Sequence, residues 1–346
     1  MGCLFSAEAK ILNATLARKD VIMLQAGCVS GSGRDTIFKQ MKIIHGGGFS
    51  SDEINYYRPY IYQNAIDSWK EILKAMPELG ISFVNNELEI DAKMVMDAPS
   101  WGMKSFSEEL VAAMKRLWID LGVQECFALR SNECKLKYSV KYFLENLDRL
   151  AAKDYQPTEQ VILRTRTLKC FDSVNVSLKS LDAILFKCRH RCVGTTLSRD
   201  VYFKNATTMI FCVNMSEYDN NELYRDYYGC ENAMHENLES FDTYCNASNF
   251  FSNISSIVLL FNKKDIFKEK IKKSPLTICF PEYTGAQEYE EAAAYIQAQF
   301  EAKNKSTNKK IYCFKTCGMD TADIQFVLDA VADVIIANNP KSLRIN

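Results

Sequence analysis

No stretch of this 346-residue chain approaches the ~18 apolar residues that a membrane-spanning helix needs. A surplus of charge is missing too. The chain has 42 basic and 43 acidic residues, and its formal net charge of -1 offers no bulk attraction to nucleic acid, so no nucleic-acid partner is expected. Nothing at the start reads as a secretory leader, so the 13 cysteines are expected as reduced cytosolic thiols. Sequons such as Asn205-Ala206-Thr207 are then chance matches. Internal repeats and low-complexity linkers are absent. What remains is an ordinary globular composition, 47% hydrophobic and 25% charged, in a chain longer than one compact core usually holds. Two domains are expected.

The opening Met1-Gly2-Cys3-Leu4-Phe5-Ser6 fits the pattern for myristoylation at Gly2, and Cys3 beside it is a palmitoylation candidate. Two acyl chains hold a protein stably on a membrane where one does so only marginally. Residues 7–19 then read as a short amphipathic helix behind a Ser6 N-cap. Val21–Leu24 is a compact apolar strand, followed by a Gly/Ser-rich turn at Gln25–Gly33 and a helix from about Thr36. Strand, glycine turn and helix in that order are the layout of a phosphate-binding loop. Residues 47–155 carry helical patterns, as in Ala112–Leu121 and Ser139–Leu150. From about 160 strands return at Ala183–Phe186, Thr208–Val213, Ile257–Phe261 and Ile311–Phe314. The last helix runs from Thr321 to about Ala337. Such alternation predicts an α/β fold with a mainly parallel sheet covered on both faces, and an all-helical domain inserted after the first helix.

Several segments together resemble the α subunits of heterotrimeric G proteins. They are Thr36–His45, Lys115–Trp118 with Gly122-Val123-Gln124, Leu163-Arg164-Thr165-Arg166, and Phe211-Cys212-Val213 with Ser216–Asp219. Further on come Phe261–Asp265, Lys273–Thr277 and the apolar pattern of the last helix. They occur in family order over nearly the whole chain, and the Met-Gly-Cys start with Ser6-Ala7-Glu8 resembles the inhibitory class. The resemblance implies a P-loop, Ras-like guanine-nucleotide domain at 1–46 and 160–346 around a helical domain at 47–159. It also implies GTP and GDP as ligands and Mg2+ as cofactor. The expected partners are a G-protein-coupled receptor, a βγ dimer, an effector and the inner membrane leaflet, and the expected location is the cytoplasmic face of the plasma membrane.

Carried over residue by residue, the base site is complete. Asp265 would accept two N–H bonds from guanine, Asn262 would tie this loop to the phosphate loop, and the Lys263 stem would cover the base. Gly318 stands where the family has alanine and would offer its backbone N–H. The resemblance also implies nucleotide contacts at Gly33, Arg34, Asp35, Thr36, Leu163, Arg164 and Thr165.

The phosphate loop departs from its pattern of Gly, four residues and Gly-Lys-Ser/Thr. Ungapped, Cys28 replaces the first glycine, Arg34 the lysine and Asp35 the magnesium-binding hydroxyl. Alternatively Gln25-Ala26-Gly27 starts the loop and three residues are inserted; neither alignment restores the motif. Arg166 matches the family's cis-acting catalytic arginine. The magnesium-binding threonine falls on Cys170, the metal-orienting aspartate on Cys188, the glycine that senses the γ-phosphate on Arg191 and the water-positioning glutamine on Cys192. These losses predict impaired metal binding and hydrolysis, or a nucleotide-independent pseudo-GTPase. Cys188, His190 and Cys192 would share one face of a strand, a conceivable soft-metal site whose spacing fits no common zinc motif. Leu197-Ser198-Arg199-Asp200 in place of the family's Lys-Trp segment, together with a shorter N-terminal helix, predicts weakened βγ docking. Leu343 at the fourth place from the end removes the cysteine that pertussis toxin modifies.

Overall fold

A computed structural model describes residues 21–27, 31–99, 101–132, 140–167, 171–179, 181–188, 205–221, 232–246 and 253–338. The chain forms two compact units, Met1–Gly48 with Lys169–Asn346, and Phe49–Leu168.

The first unit is built on a six-stranded sheet: β1 (Val21–Ala26), β2 (Phe171–Leu178), β3 (Leu181–Cys188), β4 (Thr208–Asn214), β5 (Ser256–Asn262) and β6 (Lys310–Thr316). Their order is β2-β3-β1-β4-β5-β6, with β2 antiparallel to β3 and every other pairing parallel. β1, β4 and β5 are buried along their whole length, as strands of a parallel sheet covered on both faces must be. Alternate residues feed two cores. Ile22, Leu24, Phe211, Val213, Leu259 and Phe261 pack with α9 (Ala233–Asn246) and α11 (Tyr289–Ala302), while α10 (Lys264–Lys270) adds Phe267. Val21, Met23, Ile210, Cys212, Val258 and Leu260 pack on the other side with α1 (Arg34–His45) and α12 (Thr321–Ala337). The register sets Asn214 beside Asn262, and Asn262 beside Thr316, at the carboxyl ends of β4, β5 and β6. Open α/β sheets present their ligand-binding loops at that edge.

β2 is absent from the strands read in the sequence. Val174, Val176 and Leu178 are buried and alternate with Ser173, Asn175 and Ser177, the period-2 pattern of a strand with one covered face.

The second unit is helical: α2 (Ser51–Glu78), α3 (Leu88–Asp97), α4 (Glu108–Trp118), α5 (Leu121–Asn132), α6 (Val140–Glu145), α7 (Leu147–Ala151) and α8 (Glu159–Arg164). α2 starts on a capping box: Ser50 Oγ accepts from Glu53 N, and Glu53 Oε2 accepts from Ser50 N at 2.9 Å. Its inner face, through Ile61, Ala65, Trp69 and Ile72, meets Met114 and Leu117 of α4 and Phe143 of α6 in a core of its own. Val161 and Ile162 of α8 are buried in that same core. The compact unit therefore runs to Leu168, beyond the 159/160 boundary drawn from the sequence. No helix among the described residues is long and apolar enough to cross a membrane.

Candidate functional site

β1 delivers the chain to Gly27, whose backbone lies against β4. A Cβ there would sit 2.8 Å from the Cys212 carbonyl oxygen, at a φ of +149°. From Gly31 the chain turns into α1 through Gly33 in the left-handed region, φ +81°. A Cβ on Gly33 would fall 1.8 Å from Asn262 Nδ2, so this position admits only glycine. Gln25 braces the turn from below, donating from Nε2 to the Arg34 carbonyl at 3.0 Å.

The side chain of Arg34 folds back and donates from Nη1 to the Gly27 carbonyl; it is only 8% exposed. Asp35, in the first turn of α1, pairs with Lys187 Nζ of β3 at 3.0 Å. Lys187 is 2% exposed, and its ammonium lies over the Phe38 ring, 4.9 Å from the centroid. One turn on, Lys39 is 1% exposed. Burial drives the Lys39 ammonium down to about 7, against the pull of Asp35. Burial also works to raise the Asp35 carboxyl, but the ammonium groups of Lys187 and Lys39 overcome it and hold the acid at about 2. Asp35 is therefore an ionised carboxylate inside a basic cluster.

At the carboxyl ends of β5 and β6 stands a second cluster, joined to the first by Asn262. Its Nδ2 donates to the Ser32 carbonyl at 3.2 Å, and its Oδ1 accepts from Gly318 N at 2.8 Å. Lys263 follows with φ +61°, a left-handed turn that starts α10, and Asp265 is exposed in the first helical turn. Gly318, whose amide the sequence assigns to the base, thus has that N–H on Asn262, while its carbonyl accepts from Gln40 Nε2 of α1 at 3.0 Å. Burial and the nearby Asp265 carboxylate both raise the Cys317 thiol, which places Asp265 beside the Cys317-Gly318 loop.

Sequence reasoning missed the residue that shapes this loop. Asp323 of α12 accepts from Cys317 N at 2.8 Å and from Thr316 Oγ1 at 3.1 Å, and pairs with Lys264. Burial alone would raise its carboxyl, but the Lys264 ammonium and the Cys317 amide hold it below the usual carboxylate range. The signal was available: an aspartate in the first turn of a helix that follows a strand end is placed to accept from loop amides. Lys187 gave no such signal, because a lysine in a strand reads as a solvated face.

Leu163, Arg164, Thr165 and Arg166 belong to the helical unit. Leu163 is buried. Arg164 Nη1 donates to the Gln160 carbonyl, and its guanidinium stacks on Tyr142, 4.4 Å from the ring centroid. Thr165 Oγ1 donates to the Val161 carbonyl at 2.7 Å. Asn64 clamps the Arg166 backbone, accepting from its N–H at 2.9 Å and donating to its carbonyl at 3.0 Å, and the Arg166 side chain is exposed. Thr36 lies partly buried in the first turn of α1.

Gly2, Cys3, Cys28, Cys170, His190, Arg191, Cys192, Leu197–Asp200 and Leu343 lie outside the described residues, as does the side chain of Cys188. Among the described residues no three His, Cys, Asp or Glu side chains come together as a metal cluster.

Known proteins supply an independent comparison. The family model described as G-protein alpha subunit matches residues 7–335. The guanine nucleotide-binding protein G(o) subunit alpha of Locusta migratoria is 55% identical over 98% of both chains. Its namesakes from Planorbella trivolvis and Caenorhabditis elegans are 52% and 50% identical, each over 98% of both chains. A match of this length, on a mainly parallel sheet interrupted by a helical unit, establishes that the chain belongs to the G-protein α-subunit family.

Proposed function

We propose that this chain is a guanine-nucleotide-binding transducer of signals from transmembrane receptors, in which base recognition is kept and GTP hydrolysis is impaired. The observation that carries the proposal is the Asn262 carboxamide, which joins the Ser32 and Gly318 loops across the ends of two segments far apart in sequence. Those are the loops a guanine nucleotide would span. Asp265, exposed beside them with the Cys317 thiol against it, would accept two N–H bonds from the guanine edge, a pair adenine does not offer. The Lys263 turn supplies the stem that would cover the base. Gly318 N–H would reach a base oxygen by exchanging its bond to Asn262.

The hydrolytic end supports a different reading of the same site. Hydrolysis needs a positioned water and charge neutralisation at the transferred phosphoryl group. A thiol at Cys192 cannot orient water as a carboxamide does, because sulfur is a weak donor and a weak acceptor. Arg166, its backbone clamped by Asn64, is the residue retained for charge neutralisation. The second reading, a pseudo-GTPase that binds receptor or effector without nucleotide, is favoured by Arg34, whose guanidinium turns back to donate to the Gly27 carbonyl.

Gly2 and Cys3 would carry myristate and palmitate and hold the chain at the cytoplasmic face of the plasma membrane. A receptor and an effector are the expected partners, with a weakened βγ dimer. The test is the nucleotide content of the purified protein, followed by titration with a non-hydrolysable GTP analogue. Saturable binding of guanine but not adenine nucleotide supports the transducer. No binding at high concentration leaves the nucleotide-independent module.

A further inference from the structure

The metal that the family implies can be tested against the residues present. A magnesium ion needs near-octahedral oxygen ligands at close range and a site whose negative charge is uncommitted. Asp35 is the carboxylate at the metal position, and its Oδ1 is 3.0 Å from an ammonium. That ammonium cannot simply swing away. Lys187 sits on β3, which is paired on one side with β1 and on the other with β2, and its side chain is 2% exposed and rests on Phe38. Behind the pair lies Lys39, itself buried, and beside it Arg34. One carboxylate therefore faces three basic side chains. A divalent cation placed there would meet the Lys187 ammonium directly and would have to displace it from Asp35. The described residues do not fit the metal.

The same arrangement does fit what a metal ordinarily achieves beside phosphates, which is a fixed positive charge at the start of α1. Asp35 neutralises Lys187, while Arg34 and the partly protonated Lys39 add positive charge that Asp172 offsets in part. We infer that the Asp35–Lys187 pair, its ammonium buried and backed by Lys39, is a built-in counter-charge that takes the place of the divalent cation, so that guanosine triphosphate is bound independently of metal. Lys187 is the residue that makes the difference: its ammonium occupies the carboxylate that a metal would require, and it stands next to Cys188, where the resemblance places the family's metal-orienting aspartate.

The nucleotide arm of the test rests on the guanine-nucleotide reading above, and the metal arm does not. Full-length protein is titrated with a fluorescent non-hydrolysable GTP analogue in magnesium and in EDTA, and separately with Mn2+ alone, followed by the loss of the free-ion paramagnetic signal. The expected result is analogue affinity equal within about twofold in the two buffers, and no stoichiometric Mn2+ site. Lys187→Met frees Asp35 and should create both a Mn2+ site and at least about a tenfold gain in analogue affinity with magnesium; Lys187→Gln serves if the methionine variant fails to fold. Adding Asp35→Asn should abolish that gain.

Wild-type affinity that falls about tenfold or more in EDTA overturns the inference. So does a wild-type Mn2+ site lost in Asp35→Asn, or a lack of metal response in both Lys187 variants. Absence of analogue binding in either buffer removes the guanine-nucleotide reading, and the Mn2+ titrations still decide the role of Lys187.

Discussion

Asn262 shows how one short side chain can hold a site together. Buried to 2% exposure, it satisfies a carbonyl on one loop and an amide on another, and the left-handed Gly33 gives it room. Asn262→Ala should cost about 2 kcal/mol in chemical denaturation, because both partners are left buried and unsatisfied. A loss near zero would mean that water replaces the carboxamide. Asp323 makes the pH-dependent counterpart. Its carboxyl is held below the usual range in the fold, so its contribution is fully present above about pH 4 and is lost as pH falls through the lower, folded value. The stability difference between wild type and Asp323→Asn, about 1–2 kcal/mol at neutral pH, should therefore shrink on acidification. A difference that grows below pH ~4 would reverse the sign and refute the assignment.

Asn262, Lys263, Asp265 and Gly318 were legible in the sequence because they are contiguous or sit in short motifs whose neighbours repeat the family order. Lys187 and Asp323 were not, since each acts on a partner contributed by another element. A spacing pattern records neither the β3–α1 proximity that pairs Lys187 with Asp35 nor the α12 turn that carries Asp323 to Cys317.

Among the elements, the buried strands were the clearest reading. Thr208–Val213 and Ile257–Phe261 are continuous apolar runs, and each becomes a central strand of the parallel sheet. β2 escaped notice because its apolar residues alternate with Ser and Asn, a weaker signal than an unbroken run. The capping box of α2 sits in the helical unit, where the sequence shows helical periodicity throughout. In the central strands the physical demand is volume. Leu259 on β5 is fully buried against the aromatic face that includes Phe241 and Phe300. Leu259→Ala should lower stability by about 2–5 kcal/mol, measured by denaturant titration, with the spread set by how far the neighbours collapse. A cost under about 1 kcal/mol would show that the core there is loosely packed.

For the whole molecule, two statements are separable. Family membership rests on an alignment spanning residues 7–335 and on a sheet interrupted by a helical unit. The proposed loss of hydrolysis rests on a handful of side chains, Arg34, Asp35, Cys170 and Cys192 among them. A fold can survive the loss of a catalytic constellation because its cores are built elsewhere, in the two faces of the sheet and in the helical unit. Membrane attachment is a third, independent property. If Gly2 and Cys3 carry acyl chains, Gly2→Ala should shift the protein from the membrane to the soluble fraction on cell fractionation, and Cys3→Ser should give a partial shift. Unchanged partitioning in both variants would exclude the lipid anchor.

The central claim is that base recognition and phosphate cleavage have parted company in this chain. Single-turnover hydrolysis of bound GTP by the purified protein tests it most directly. The account predicts that GTP loads but is cleaved at least about a hundredfold more slowly than by other α subunits, because no carboxamide at Cys192 positions the attacking water. Cleavage at a rate normal for the family would contradict it.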